Sequence, residues 1–311
     1  MVTLQCNDFD IRKIMASGQC FRMTEKVLGY EPDADRYIEF IAFGKPLRVK
    51  QEGNTLSLSC SEEEFNQIWR RYFDLDTDYS KIIREAQEKY ADDPYLLDAI
   101  DFSRGIRILR QDFFEALVSF IISQRKSIYQ IRRNVNLLSD RNNCVVSADG
   151  FNEDRYSLSR FPYANEIIHM AESGTLESCF LGYREKYVYE ASKWYQDFPG
   201  NLESDLASMG YENAMRELMK IKGVGKKVAN CVCLYGLHYM NACPVDVWIQ
   251  RIFDTYYNGE IPRWVNDPNA GLLQQFVFMY ERRAVEIPFV EHVRTQWRQN
   301  DDDDEWLDFL F

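Results

Sequence analysis

Residues 218–231 read Leu218-Met219-Lys220-Ile221-Lys222-Gly223-Val224-Gly225-Lys226-Lys227-Val228-Ala229-Asn230-Cys231. A helical run ends, a Gly-x-Gly turn reverses the chain, and a second helical run begins at Lys226. Glycine at 223 and 225 permits positive φ and a close approach of backbone to a ligand. The N–H groups of the turn and of the new helix's first turn form an anion site, for which a DNA phosphate is the natural guest. Lys227 falls in that first turn. The helix dipole and the adjacent Lys226 both disfavour an ammonium there, and a neutral amine is what a Schiff-base nucleophile needs. The same residues also fit a helix–turn–helix with two phosphate-binding lysines, and this stretch alone leaves both readings open.

Further along, Pro244-Val245-Asp246-Val247-Trp248 places an aspartate at the start of a helix over Val247 to Tyr256. Asp246 reads as the N-cap. A capping carboxylate projects from the helix end, so it can also face the lysine and stabilise positive charge developing on a sugar.

Outward from this centre, the helical spacing of apolar residues marks Ile82 to Tyr90, Asp112 to Ser123, Ser127 to Leu138, Ala164 to Glu172, Tyr183 to Tyr195, Glu212 to Met219, Lys226 to Leu237 and Gly271 to Arg283. Strands are expected earlier, at Tyr37 to Phe43, at Pro46 to Gln51 after a Gly44-Lys45 turn, and at Thr55 to Cys60 after Gly53-Asn54. Ser61, with Glu64 in capping-box position, opens a helix through Tyr72. Beyond it the chain reads as almost wholly helical. Strands first and helices after make an α+β fold. The expected division is an N-terminal antiparallel sheet domain with helices over 1–105, a helical region over 106–298 and an acidic tail over 299–311.

The net charge of −12 argues against a general nucleic-acid coat, but not against a DNA enzyme whose positive charge is local. Arg125, Lys126, Arg132, Arg133, Arg184, Lys186, Lys222, Lys226 and Lys227 are a candidate footprint, although a charge run also fits a solvated face. The eight cysteines are scattered without zinc or iron–sulfur spacing, and the three histidines are far apart, so no metal and no cofactor is expected. There is no apolar run of membrane-spanning length. Met1 to Ile14 carries charges and lacks the apolar core of a signal peptide. An intracellular monomer that does not engage a membrane is expected, in the cytoplasm, at the nucleoid or in the nucleus according to the host.

Gly-Val-Gly, Lys227 and Pro-Val-Asp246 together resemble the helix–hairpin–helix DNA glycosylase superfamily, and more narrowly the 8-oxoguanine DNA glycosylase family. Four other segments carry the resemblance: Ser17-Gly18-Gln19-Cys20-Phe21-Arg22; Leu109-Arg110-Gln111-Asp112 with Ser119-Phe120-Ile121; Leu181-Gly182-Tyr183-Arg184; and Gly271 with Gln274 and Phe278. The resemblance implies base excision repair of double-stranded DNA containing an oxidised purine. Lys227 would attack C1′ and form an imine, and Asp246 would stabilise the oxocarbenium-like transition state. Cys231 and Phe278 would sandwich the flipped base while Gln274 reads its Watson–Crick edge. The Gly18 carbonyl would accept from N7–H of 8-oxoguanine, a hydrogen that guanine lacks. An unpaired acceptor there costs about 1–3 kcal/mol, enough to read one proton. Gly223, Val224, Gly225, Lys226, Tyr183, Arg184 and Trp248 would contact DNA. Without the resemblance, Cys231 and Phe278 read as core and Gly18 as a turn glycine.

Departures from the family pattern are also legible. Arg125-Lys126-Ser127 stands where the family often has an asparagine triplet, so Arg125 would fill the gap left by the flipped base. Gln130 replaces an arginine that contacts the orphan cytosine, and Trp248 replaces a histidine. Two other classes compete: an alkylbase glycosylase of the same superfamily, which typically lacks the lysine, and a non-catalytic hairpin DNA-binding protein.

Overall fold

The computed structural model describes the backbone of residues 1–28, 35–151 and 155–296, and the side chains of these spans except at 28, 35 and 284–296. The expected acidic tail at 299–311 lies outside the described residues. Five antiparallel strands, β1 (Val2–Gln5), β2 (Thr24–Leu28), β3 (Asp35–Ala42), β4 (Lys45–Glu52) and β5 (Thr55–Leu58), pair in the order β1-β5-β4-β3-β2. Register follows the apolar alternation: Ile38 opposes Val49, Phe40 opposes Leu47, and Val49 opposes Leu58, all buried on one face. The turn between β3 and β4 is Phe43-Gly44, both at positive φ, one residue before the expected Gly44-Lys45.

That face is covered by α1 (Ile11–Ala16) and by a helical stretch of α2 (Glu62–Glu64), a π-helical turn at Phe65–Trp69, and α3 (Arg70–Tyr72). Trp69 and Tyr72 each bring a ring to 5.6 Å from that of Phe40. Ser61 caps the stretch by accepting from the Glu64 N–H. The Glu64 carboxylate accepts from the Trp69 indole instead of closing the capping box.

The remaining helices are α4 (Tyr79–Lys89), α5 (Pro94–Ser103), α6 (Phe113–Ile122), α7 (Ile128–Arg141), α8 (Ala164–Glu172), α9 (Arg184–Asp197), α10 (Leu202–Ser208), α11 (Tyr211–Leu218), α12 (Lys226–Tyr235), α13 (Val247–Tyr256) and α14 (Ala270–Gln296). They share a second apolar core. α6 is its axis. Every residue of α6 except Glu115 is buried, the mark of a helix surrounded by others. At about 1.5–3 kcal/mol per fully buried large apolar side chain, this helix anchors whatever its C-terminal end presents. Helices α4 and α5, expected within the N-terminal domain, pack their apolar faces into this helical core.

One element breaks the expected helical run. Strands β6 (Val145–Asp149) and β7 (Arg155–Ser159) form a hairpin laid on the first sheet, with the Arg48 guanidinium 3.8 Å from the centre of the Tyr156 ring. The two cores are sewn together by Gln19. Its side chain accepts from the Leu109 N–H at 2.8 Å and donates to the Arg107 carbonyl at 2.8 Å, while Gln111 donates to its backbone carbonyl at 2.6 Å. This fixes the loop that carries Gly18.

Candidate active site

The turn between α11 and α12 uses its two glycines differently. Gly223 has φ +90°, and a Cβ there would lie 2.8 Å from Cβ of Tyr187 and closer still to its ring carbons. Glycine is required there by the protein's own packing. Gly225 is extended at φ −94°, and a Cβ on it would meet nothing. The expectation of positive φ at both positions is therefore corrected. The open space at Gly225 faces outward, next to a helix start that no side chain caps. Val224 turns its side chain into the core and donates its N–H to the Ile221 carbonyl, so neither is presented to a ligand. Lys226 is exposed.

Lys227 is half-buried. Its Nζ donates to Ser123 Oγ at 3.3 Å and lies 5.5 Å from the centre of the Phe120 ring. Ser123 in turn donates to the Phe120 carbonyl, so its hydroxyl accepts from the lysine with a lone pair. The amine thus rests on the C-terminal end of α6, the most buried helix of the fold. Asp246 caps α13: one carboxylate oxygen accepts from the Trp248 and Ile249 N–H groups, both at 3.0 Å. The expected capping role holds. Trp248 is half-buried, with the Arg251 guanidinium 5.0 Å from its ring.

Cys231, one turn after Lys227, registers both groups. Burial pushes its thiol up to about 11, the Lys227 charge pulls it back, and the Asp246 charge adds to the rise. It remains a neutral thiol and presents a small apolar surface. Gly18, at φ +75°, sits where a Cβ would be 2.9 Å from Ile128 and 3.6 Å from the Phe278 ring. Residues 260 positions apart are thereby brought into one wall. Gln274 is buried two turns before Arg282 on α14, and its side-chain carbonyl accepts from Gln275.

Sequence reasoning passed over two groups here. Arg282 lies 3.9 Å from the same virtual Gly18 Cβ, with its guanidinium carbon 4.8 Å from the Phe278 ring centre. Burial lowers its pKa to about 10, and the Asp246 carboxylate works against that fall. The signal was present: Gln274, Phe278 and Arg282 recur every four residues and so line one helix face. Gln124 is the other. It donates to the Gly223 carbonyl at 3.0 Å and so ties the loop after α6 to the hairpin.

The residues expected on the orphan-base side are distributed unevenly. Arg125 is exposed and left-handed at φ +52°. Gln130 is exposed, but its Oε1 accepts from the Ser127 N–H in a capping box, leaving the amide as a donor. Tyr183 is 52% exposed. Arg184 is buried. It donates to the Gln124 carbonyl and, at 3.2 Å, to the Leu181 carbonyl. Its observed work is to hold two loops together, where a direct DNA contact was expected.

Residues 1–117 match the family described as 8-oxoguanine DNA glycosylase, N-terminal domain. The solved structure of MBOgg1 in complex with a low-affinity DNA ligand is similar at 32% identity and a TM-score of 0.77, covering 91% of this chain and 95% of that one. The chain belongs to the 8-oxoguanine DNA glycosylase family. The 8-oxoguanine glycosylase/lyase of Clostridium acetobutylicum, solved with double-stranded DNA containing cytosine opposite 8-oxoguanine, is similar at 30% identity and a TM-score of 0.75, covering 89% of this chain and 93% of that one. The N-glycosylase/DNA lyase of Saccharomyces cerevisiae is 38% identical over 48% of this chain, a stretch spanning 41% of the yeast protein. Among the described residues, no helix of this family member is long and apolar enough to cross a membrane, and no cluster of metal-ligating side chains occurs.

Proposed function

We propose that the protein is a bifunctional DNA glycosylase and AP lyase of base excision repair, which flips 8-oxoguanine out of double-stranded DNA and excises it through an imine on Lys227. The observation that carries this reading is the seat of Lys227: beyond an uncapped helix start, against Ser123, one turn from Cys231. The uncapped N–H groups at the start of α12, beside Gly225, and Lys226 hold phosphate on the lesion strand. The base enters between Cys231 and Phe278, with Gln274 at its Watson–Crick edge and the Gly18 carbonyl accepting from N7–H.

The Lys227 amine attacks C1′ with its nitrogen lone pair, the C1′–N9 bond breaks, and its electron pair leaves with the base. Loss of a proton from nitrogen and opening of the sugar ring give the imine. The Asp246 carboxylate stabilises the positive charge that builds on the sugar. Removal of a proton from C2′ then expels the 3′ phosphate by β-elimination, and water hydrolyses the imine to restore the lysine. With Gln130 in the place of an arginine, discrimination among bases opposite the lesion is relaxed.

The test is incubation of the full chain with an 8-oxoguanine duplex and borohydride, followed by denaturing electrophoresis. A covalent adduct is expected from the wild type and none from Lys227→Gln, which keeps its DNA affinity. A trapped adduct on Lys226, or strand cleavage by Lys227→Gln, would refute the assignment.

A further inference from the structure

Phe180 breaks two local preferences at once. It is 64% exposed, and it adopts the left-handed conformation, φ +53° and ψ +39°. A bulky side chain at positive φ is strained, and glycine would hold the same turn without strain. Folding does not account for the ring. Its neighbours Cys179 and Leu181 are fully buried, so the chain is pinned on both sides and the ring is turned outward. The backbone at 180 is pinned as well. Its N–H donates to the Glu177 carbonyl at 3.2 Å, and its carbonyl accepts from Lys126 Nζ at 3.4 Å and from the buried Asn134 at 3.5 Å. Another exposed phenylalanine at positive φ, Phe43, has an aromatic partner in Tyr72. The Phe180 ring instead faces a cation, the Arg133 guanidinium 5.9 Å from its centre.

The position of this ring is defined by hydrogen bonds that run to the hairpin. Arg184 joins the Leu181 carbonyl to the Gln124 carbonyl, and Gln124 donates to the Gly223 carbonyl. The hairpin and Lys227 take the lesion strand. The loops at 124–127 and 180–183 are tied to them by these bonds, so on the glycosylase reading they face the strand opposite the lesion, whose base loses its partner on eversion. Phe180, Tyr183, Arg125 and Arg133 are exposed there, two π-faces and two cations, and of the two rings Tyr183 already packs edge-on against Tyr187 at 5.9 Å and under the Arg184 guanidinium at 4.3 Å. That set fits an unpaired nucleobase on an anionic strand.

Resting on the glycosylase reading above, we infer that Phe180 stacks on the orphan base opposite the flipped lesion, and that its strained backbone is held for that contact. The two loops hold the backbone at 180 before DNA arrives, so the ordering that binding still requires is confined to the ring's own rotamer.

The test is a thermodynamic cycle with the full chain. Affinity is measured by fluorescence anisotropy for a duplex bearing a tetrahydrofuran abasic-site analogue opposite cytosine, and for the same duplex with the analogue on both strands. Phe180→Leu keeps an apolar side chain without a π-face, and Phe180→Gly also relieves the backbone. Both variants are expected to lose about five- to a hundredfold in affinity for the cytosine duplex, the range for one base–aromatic stack. Little loss is expected when the orphan base is absent, and Phe180→Gly should melt no lower than the wild type. Equal losses on the two duplexes, or no loss on either, would overturn the inference. So would a Phe180→Gly melting point several degrees lower, which would make the ring structural. Borohydride trapping on an 8-oxoguanine duplex separates the two readings. If the wild type fails to trap, the glycosylase reading falls. If it traps while the cycle shows no Phe180 dependence, only the stacking role falls.

Discussion

Alanine at Gly223 and alanine at Gly225 should have opposite consequences, although the two residues share one turn. At 223 the added methyl meets Cβ and Cγ of Tyr187, the root of that side chain, which cannot swing aside as a flexible tip would. Overpacking of this kind costs about 1–3 kcal/mol. A left-handed backbone costs an L-residue about 1–2 kcal/mol more. The sum, about 2–5 kcal/mol, is a large share of the roughly 5–15 kcal/mol that holds a folded protein together. At about 2 °C per kcal/mol for a large chain, Gly223→Ala should melt about 4–10 °C below the wild type. At 225 the backbone is extended and the methyl meets no protein atom. Lower entropy of the unfolded chain contributes about 0.4–1 kcal/mol, which a poorer N-cap offsets by a similar amount, so Tm should stay within about 2 °C. Gly225→Ala should instead weaken binding to a lesion duplex, because its methyl stands where phosphate meets the helix N–H groups. Calorimetry without DNA and anisotropy with DNA read the two effects separately. Adding Tyr187→Ala to Gly223→Ala should recover the steric part and leave the backbone part. A Gly223→Ala protein that melts like wild type, or a Gly225→Ala protein that melts as low as Gly223→Ala, would refute the assignment of one glycine to packing and the other to ligand.

Asp246→Asn should slow excision about 10²–10³-fold in single-turnover assays with little change in DNA affinity, because asparagine keeps the cap and loses the charge. A fall in Tm of several degrees would mean that the carboxylate is mainly structural. Glu115 gives a pH signature. Burial raises its pKa to about 7, with Arg22 pulling it down and Asp112 pushing it up. A carboxyl with a raised folded-state pKa contributes stability that is fully present below its ordinary value near 4.5 and is lost as pH rises through about 7. Tm should therefore fall between pH 5 and pH 8 more in the wild type than in Glu115→Gln, and parallel Tm profiles would refute the raised carboxyl pKa.

Helices were legible because their apolar spacing and caps are local. Ser61 and Asp246 were readable as caps before any contact was known, and both cap their helices. The β6–β7 hairpin was not legible, since β6 buries no residue fully and the hairpin's aromatics, Tyr156 in β7 and Phe151 before it, gain their partners from Arg48 and Tyr37, far away in the chain. The site divides along the same line. Lys227 and Asp246 announce themselves through a helix start and a helix cap. The wall formed by Gly18, Ile128, Phe278 and Arg282 depends on Gln19 joining the two cores, and no local pattern encodes that bond. Phe180 was invisible for a different reason. Its backbone conformation runs against its own residue type, so only coordinates reveal it.

How a chain of net charge −12 grips DNA is decided by which cations reach the surface. Of the nine expected to form the footprint, Arg184 is buried on backbone carbonyls, and Arg132 donates to the Phe21 and Met23 carbonyls. Lys227 is held for chemistry. Arg125, Arg133, Lys186, Lys222 and Lys226 are exposed and Lys126 is half-buried, so these six set the ceiling on phosphate neutralisation from the footprint. At about 0.9 counterion released per contact, the slope of log K against log salt should be no steeper than about −5. The rest of the affinity must come from neutral donors and from stacking, terms that salt barely touches. Titration of a lesion duplex between 50 and 200 mM salt, a range over which such slopes are well resolved, measures this directly. A slope near −9 would require cations outside the hairpin face, and the binding surface drawn here would be too small.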